Sequence, residues 1–216
     1  MIKHQIILKY FNENRKNLEE NFAIKLHRSI SWLKRAEKEI DDNDAKFIFL
    51  WISFNATYTG LESITNQIYS RKVWNKYFEI LIDHDKDRHI YEYIWKTFSS
   101  KIRLVLRNQY LLASFWKNYN NNREIWADEQ EKLKRKVNKA LANQDSVSIL
   151  IILFDRLYVL RNQIFHGHST WNSKVNREQL NLCTTLLAEI IPIFMTIMLR
   201  NPSVDWGKLV VPVLNK

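Results

Sequence analysis

The stretch LEENFAIKLHRSISWLKRAEKEI at residues 18–40, followed by Asp41, Asp42, Asn43 and Asp44, decides the fold class. Its apolar side chains fall at Leu18, Phe22, Leu26, Ile30, Leu33 and Ile40, a spacing that keeps one face of an α-helix buried. The polar cluster behind it ends that helix and caps the next. The following predicted helix, residues 46–58, holds the dense run Phe47, Ile48, Phe49, Leu50, Trp51 and Ile52, so it is expected to be central and buried on several sides, with Gly60 closing it.

Outward from there the pattern stays helical. Residues 61–112 read as several shorter helices, broken around residues 83–88 and at Ser99 and Ser100. Residues 118–122 form a polar loop, and a charged amphipathic helix over 123–142 is expected at the periphery. Asn143 to Asp145 start a further helix whose 149–154 run is too hydrophobic to be exposed, continuing through Leu157 and Leu160 to Gly167. After a loop at 168–172, a last long helix over 175–199 carries Leu186, Leu187, Ile190, Phe194, Ile197 and Met198 on one stripe, with a kink expected at Pro192. The tail after Pro202 is irregular.

Composition agrees with an all-α bundle. Among 216 residues, 46% are hydrophobic, with 8 Trp, 9 Tyr and 11 Phe, enough apolar volume for a packed interior. Only 3 Gly and 3 Pro are present, which excludes the glycine-rich loops of dinucleotide and P-loop sites and argues against a β-rich fold. Cys183 is the single cysteine, so there is no internal disulfide and no thiolate-built zinc finger. Residues 1–11 do not read as a signal peptide. The 186–199 stretch, interrupted by Glu189 and Pro192, falls short of the ~20 residues of a membrane span and reads as a core helix. The expected protein is one domain, residues 1–216, located in the cytoplasm. A formal net charge of +10 favours a polyanionic partner, because Lys and Arg that neutralise phosphates release condensed counterions.

The segment 157–168 places Arg161, Asn162, His166 and His168 at the end of an otherwise apolar helix. A guanidinium matches phosphate oxygens bidentately, and an imidazole exchanges protons near neutral pH. Together they suffice to cleave RNA without a metal: a proton acceptor or donor for the 2′-OH or leaving oxygen, and a cation for the crowded phosphate. The pair alone is weak evidence, since 13 Arg and 6 His supply roughly 0.4 such pairs by chance. On a continuous helix the two side chains stand about 140° apart and about 7.5 Å along the axis. They converge only if the helix ends near Phe165 or a second subunit contributes. Other readings of the same residues are helix capping, pairing of Arg161 with Asp155 or Glu178, a dipole contact at His166, and a metal held by His166 and His168.

The spacing Arg161-Asn162-Gln163-Ile164-Phe165-His166 resembles the signature of the HEPN superfamily (higher eukaryotes and prokaryotes nucleotide-binding): Arg, a polar residue, three variable residues and His. Residues 26–37 and 47–58 look like the first helices of bacterial HEPN-like proteins. Residues 161–167, followed by Ser169, Thr170, Trp171, Asn176 and Arg177, look like their last part. The resemblance implies a HEPN-like bundle of four to five core helices with extra peripheral helices, in which 61–145 is a family-variable helical insertion. It implies a homodimer whose two motifs share one composite active site. It also implies a metal-independent endoribonuclease, needing no cofactor, that leaves a 2′,3′-cyclic phosphate and serves as a toxin or phage-defence effector, with an antitoxin or other defence protein as a further partner. His166 would be the general base or acid, Arg161 would stabilise the phosphorane, and Asn162 would orient one of them. The alternative is a non-catalytic HEPN-like module that binds RNA, nucleotide or protein.

Further contacts to RNA, with tRNA among the candidates, are expected from His168 and Arg177 beside the motif. Arg103 and Arg107 join them from residues 93–123, a stretch with six Lys or Arg and no Asp or Glu, interleaved with Tyr110, Phe115 and Trp116. There basic side chains can follow a backbone while aromatics stack bases, or the aromatics can be plain core. Asn55, an amide in an apolar helix, is expected either to support the site or to brace the core.

Overall fold

The computed structural model describes residues 3–61, 71–118 and 123–211. Every regular element among them is helical. In chain order they are α1 (Lys3–Asn14), α2 (Glu20–Glu37), α3 (Asn43–Tyr58), α4 (Arg71–Asp83), α5 (His89–Tyr91), α6 (Ser99–Arg107), α7 (Ala113–Asn118), α8 (Arg123–Ala142), α9 (Ser146–Phe165) and α10 (Arg177–Arg200). The all-α expectation therefore holds. The polar loop expected at 118–122 lies, from residue 119 onward, outside the described residues. So does the 62–70 part of the proposed insertion. The chain divides into two compact units, Met1–Asp87 with Leu187–Lys216, and Arg88–Leu186.

In the first unit α2 and α3 form an antiparallel hairpin. Asp42 caps α3 by accepting from the Ala45 amide at 2.9 Å. Where the helices approach most closely each presents a serine. Ser29 Oγ donates to the Ser53 carbonyl and Ser53 Oγ to the Ser29 carbonyl, both at 2.8 Å. Two small side chains let the backbones come together, and the reciprocal bonds satisfy both buried hydroxyls. One turn away Trp32 stacks on Phe49, and Arg35 lies over the same ring. The 47–52 run is buried on its Phe47, Leu50 and Trp51 side and half-buried elsewhere. Trp51, Phe54, Tyr58, Trp74, Tyr77, Phe78 and Phe194 interlock as a core of aromatic rings.

The irregular tail closes this unit. Lys25, buried in α2, donates to the carbonyls of Trp206 and Gly207, and Trp206 packs its indole against Tyr77. Gly60 and Gly207, both at positive φ, meet back to back: a Cβ on Gly60 would fall 1.7 Å from the Lys208 carbonyl oxygen. The Lys208 amide donates to the Gly60 carbonyl at 3.1 Å. The glycine read as a helix stop is thus also the point where the tail crosses.

In the second unit α5 runs into a π-helical segment, Glu92–Thr97, which the sequence pattern did not reveal. Its wider turn ends at Phe98, close to the break expected at Ser99. The Tyr93 hydroxyl, buried, donates to the Leu186 carbonyl at 2.9 Å, and the Trp95 indole to Ser146 Oγ at 2.9 Å. α6, the Gln109–Leu111 turn and α8 each pack on α9, whose Ile149, Leu150, Leu153, Phe154 and Leu157 are buried.

Three boundaries differ from expectation. α1 was not expected; His4 anchors it through both its amide and Nδ1 to the Glu37 carboxylate. α9 stops at Phe165 rather than Gly167, for the capping reason given below. α10 begins at Arg177 rather than 175, because Asn176, at φ +61°, cannot continue a helix. At 24 residues α10 exceeds the 186–199 stretch and, by length and composition, is long and apolar enough to cross a membrane; 61% of its most apolar window is buried, as in a core helix.

Candidate functional site

Helix α9 delivers the Arg161 to His166 segment. Asp145 caps its N-terminus by accepting from the Ser148 amide at 2.9 Å. Its C-terminus closes with two nested bonds: His168 N–H to the Gln163 carbonyl at 2.8 Å, and Gly167 N–H to the Ile164 carbonyl at 3.1 Å. With Gly167 at φ +68° this is a Schellman cap, and it makes His166 the C-cap residue. The helix therefore ends between Arg161 and His166. The 140° separation of a continuous helix no longer applies to the imidazole, which hangs on a non-helical residue.

Arg161, half-buried, reaches toward this end. Its Nη1 donates to Asn162 Oδ1 at 3.0 Å, and its guanidinium carbon lies 4.1 Å from the Phe165 ring centroid. The ring holds the flat cation by cation–π attraction without consuming its hydrogen bonds. The carboxylate partners considered from sequence, Asp155 and Glu178, are replaced in these contacts by an amide and an aromatic face. His166 and His168 are both exposed, with ring centroids 6.0 Å apart. The structure thus brings the four residues together as two neighbouring pairs, Arg161 with Asn162 and His166 with His168.

Two exposed rings stand beside this helix end. The Tyr110 carbonyl accepts from the Trp116 indole at 2.9 Å and from the Gln163 amide at 3.4 Å, so Gln163 tethers the Tyr110–Trp116 corner to the last turn of α9. Gln163 is a variable position of the motif, and nothing in the sequence marked it. Both rings are about half exposed while Phe115 beneath them is buried, which separates the surface aromatics of this segment from its core. On the loop leading to α10, Trp171 is 69% and Val175 75% exposed; Phe165 is 44% exposed. Arg177 is half-buried, its Nε donating to the Ser173 carbonyl at 3.0 Å.

The remaining sequence candidates sit elsewhere. Arg103 and Arg107 are exposed on α6. Asn55 belongs to the first unit, where its Oδ1 accepts from the Tyr58 hydroxyl at 3.0 Å, a bracing contact within α3. Cys183 is buried and its thiol is pushed up to about 12 by that burial, so it is no thiolate nucleophile. Among the described residues no three His, Cys, Asp or Glu side chains gather as a metal site.

The charge is unevenly divided. Arg88–Leu186 holds 16 Lys and Arg against 8 Asp and Glu, net +8; the rest of the chain holds 17 against 15, net +2. The unit with the motif is the cationic one. No family model, curated protein or solved structure matches the chain.

Proposed function

We propose that the chain is a metal-independent RNA endonuclease of HEPN type, acting in the cytoplasm as a toxin or phage-defence effector. The observation that carries the reading is the end of α9: an exposed imidazole at the helix cap, a guanidinium held on a ring one turn before it, and a surrounding unit of net charge +8. In this reaction the ribose 2′-OH attacks the adjacent phosphorus, the 5′-oxygen leaves, and a 2′,3′-cyclic phosphate remains. His166 takes or gives the proton and Arg161 neutralises the charge that develops on the phosphorane. Asn162, bonded to Arg161, fixes the guanidinium's orientation.

A homodimer is part of the proposal. Phe165, Trp171 and Val175 are large exposed apolar side chains flanking the motif, the kind of surface a second copy covers. A shared cleft would let the Arg161 of one protomer serve the His166 of its partner. His168, Arg177, Arg103 and Arg107 supply cations for the RNA backbone.

The test is cleavage of total tRNA and of a mixed-sequence RNA in EDTA by wild type, His166→Ala and Arg161→Ala. Cleavage by wild type alone, leaving cyclic phosphate ends, is the expected result. Equal behaviour of all three abandons the nuclease in favour of a non-catalytic binding module.

A further inference from the structure

A separate cavity lies within the second unit, away from the end of α9. It encloses about 280 Å³ and is walled by α6, the Gln109–Leu111 turn, α8 and α9. Three cations face it: Arg107, Lys134 and Arg156. Arg156 is only 5% exposed, so it is fixed in the wall rather than free on the surface. Gln109 and Gln130, joined amide to amide at 3.5 Å, and Asn138 add neutral donors and acceptors, while Leu106, Leu112, Leu133 and Val137 make the rest of the wall apolar. Among the described lining residues there is no Asp or Glu.

We propose that this cavity binds a small phosphate monoester. Three like charges around one small space repel each other, and an anion between them relieves that repulsion in surroundings that screen less than bulk water. A carboxylate brings one negative charge, whereas a phosphate monoester carries about −1.5 to −2 near neutral pH and three acceptor oxygens for a guanidinium fork. The volume sits just under the ~300 Å³ at which small-molecule pockets begin, so a polymer is excluded and a compact ligand fits. The aliphatic side of the wall calls for an apolar group on the phosphate rather than inorganic phosphate alone. This site is independent of the cleavage chemistry at His166.

The experiment is calorimetric titration of the full chain with phenyl phosphate, inorganic phosphate and benzoate. Phenyl phosphate should bind saturably at one site per chain, more tightly than inorganic phosphate, which lacks the apolar group, and than benzoate, which lacks the second charge. Arg107 and Lys134 are exposed enough to be replaced without unfolding the wall. Arg107→Gln and Lys134→Gln should each weaken phenyl phosphate about tenfold, the loss of one charge-assisted contact. Lys132→Gln, on the same helix but outside the cavity, should leave binding unchanged. Absence of saturable binding overturns the proposal, and so does an equal effect of all three substitutions, which would mark diffuse surface charge.

Discussion

The two units differ in what holds them and in what they display. Met1–Asp87 with Leu187–Lys216 is nearly neutral and organised around interlocked aromatic rings, with a tail whose glycines leave no room for a side chain. Arg88–Leu186 carries +8, keeps several large rings on its surface, and has one glycine, Gly167, with nothing within 4 Å of where a Cβ would be. The first arrangement spends its distinctive residues on packing. The second leaves polar and aromatic groups available to a ligand, and that contrast locates chemistry in the second unit.

The sharpest way to break the contrast is to remove one residue of each kind. His166→Ala should lower RNA cleavage by about 10²–10⁴-fold, the usual share of an acid–base group, while the melting temperature stays at the wild-type value because the ring is exposed. A large fall in melting temperature would make His166 structural and erase the distinction. Phe54→Ala should do the opposite. Its fully buried ring touches Trp51, Tyr58, Trp74 and Phe194, so denaturant unfolding should show a loss of about 3–5 kcal/mol.

Lys25 sharpens the comparison through pH. Burial outweighs the attraction of Asp205 and lowers its ammonium from 10.5 to about 8. Between those values the unfolded chain keeps a proton that the folded chain has released, so this group's contribution to stability rises with pH from about 8 to 10.5. The neutral amine still has two hydrogens for the Trp206 and Gly207 carbonyls. Denaturation midpoints of wild type and Lys25→Met, compared at pH 7.5 and pH 10 (roughly the ends of that window), should differ in pH slope by on the order of 2–3 kcal/mol. Parallel slopes would show that the tail does not desolvate Lys25. The smallest effect belongs to Gly167→Ala. With open space around the Cβ position, only left-handed strain remains, about 1 kcal/mol by thermal unfolding. Any larger change in cleavage than in stability would tie the cap geometry to His166.

Much of the helical pattern was legible along the chain. The 18–40 spacing and the acidic cap gave α2 and α3, and the apolar 149–154 run gave a buried α9, because those signals are local. α1 was not legible: its hold on the fold is His4 bonding to Glu37, a contact thirty-three residues away. Neither was the π-helical turn at Glu92–Thr97, since no residue type specifies it. Arg161, Asn162 and His166 could be picked out by type and spacing. Their arrangement could not, because it depends on where α9 stops.

By itself the sequence determined an all-helical, strongly cationic chain with a guanidinium, an amide and an imidazole near one helix end, since composition and short-range periodicity suffice for that. Only the tertiary structure decided that the Tyr110–Trp116 corner docks on Gln163, that Asn55 is taken up by Tyr58, and that Arg107, Lys134 and Arg156 surround one cavity. Each of these depends on which helices pack together, and packing is set by the sum of many weak apolar contacts between segments far apart in the chain.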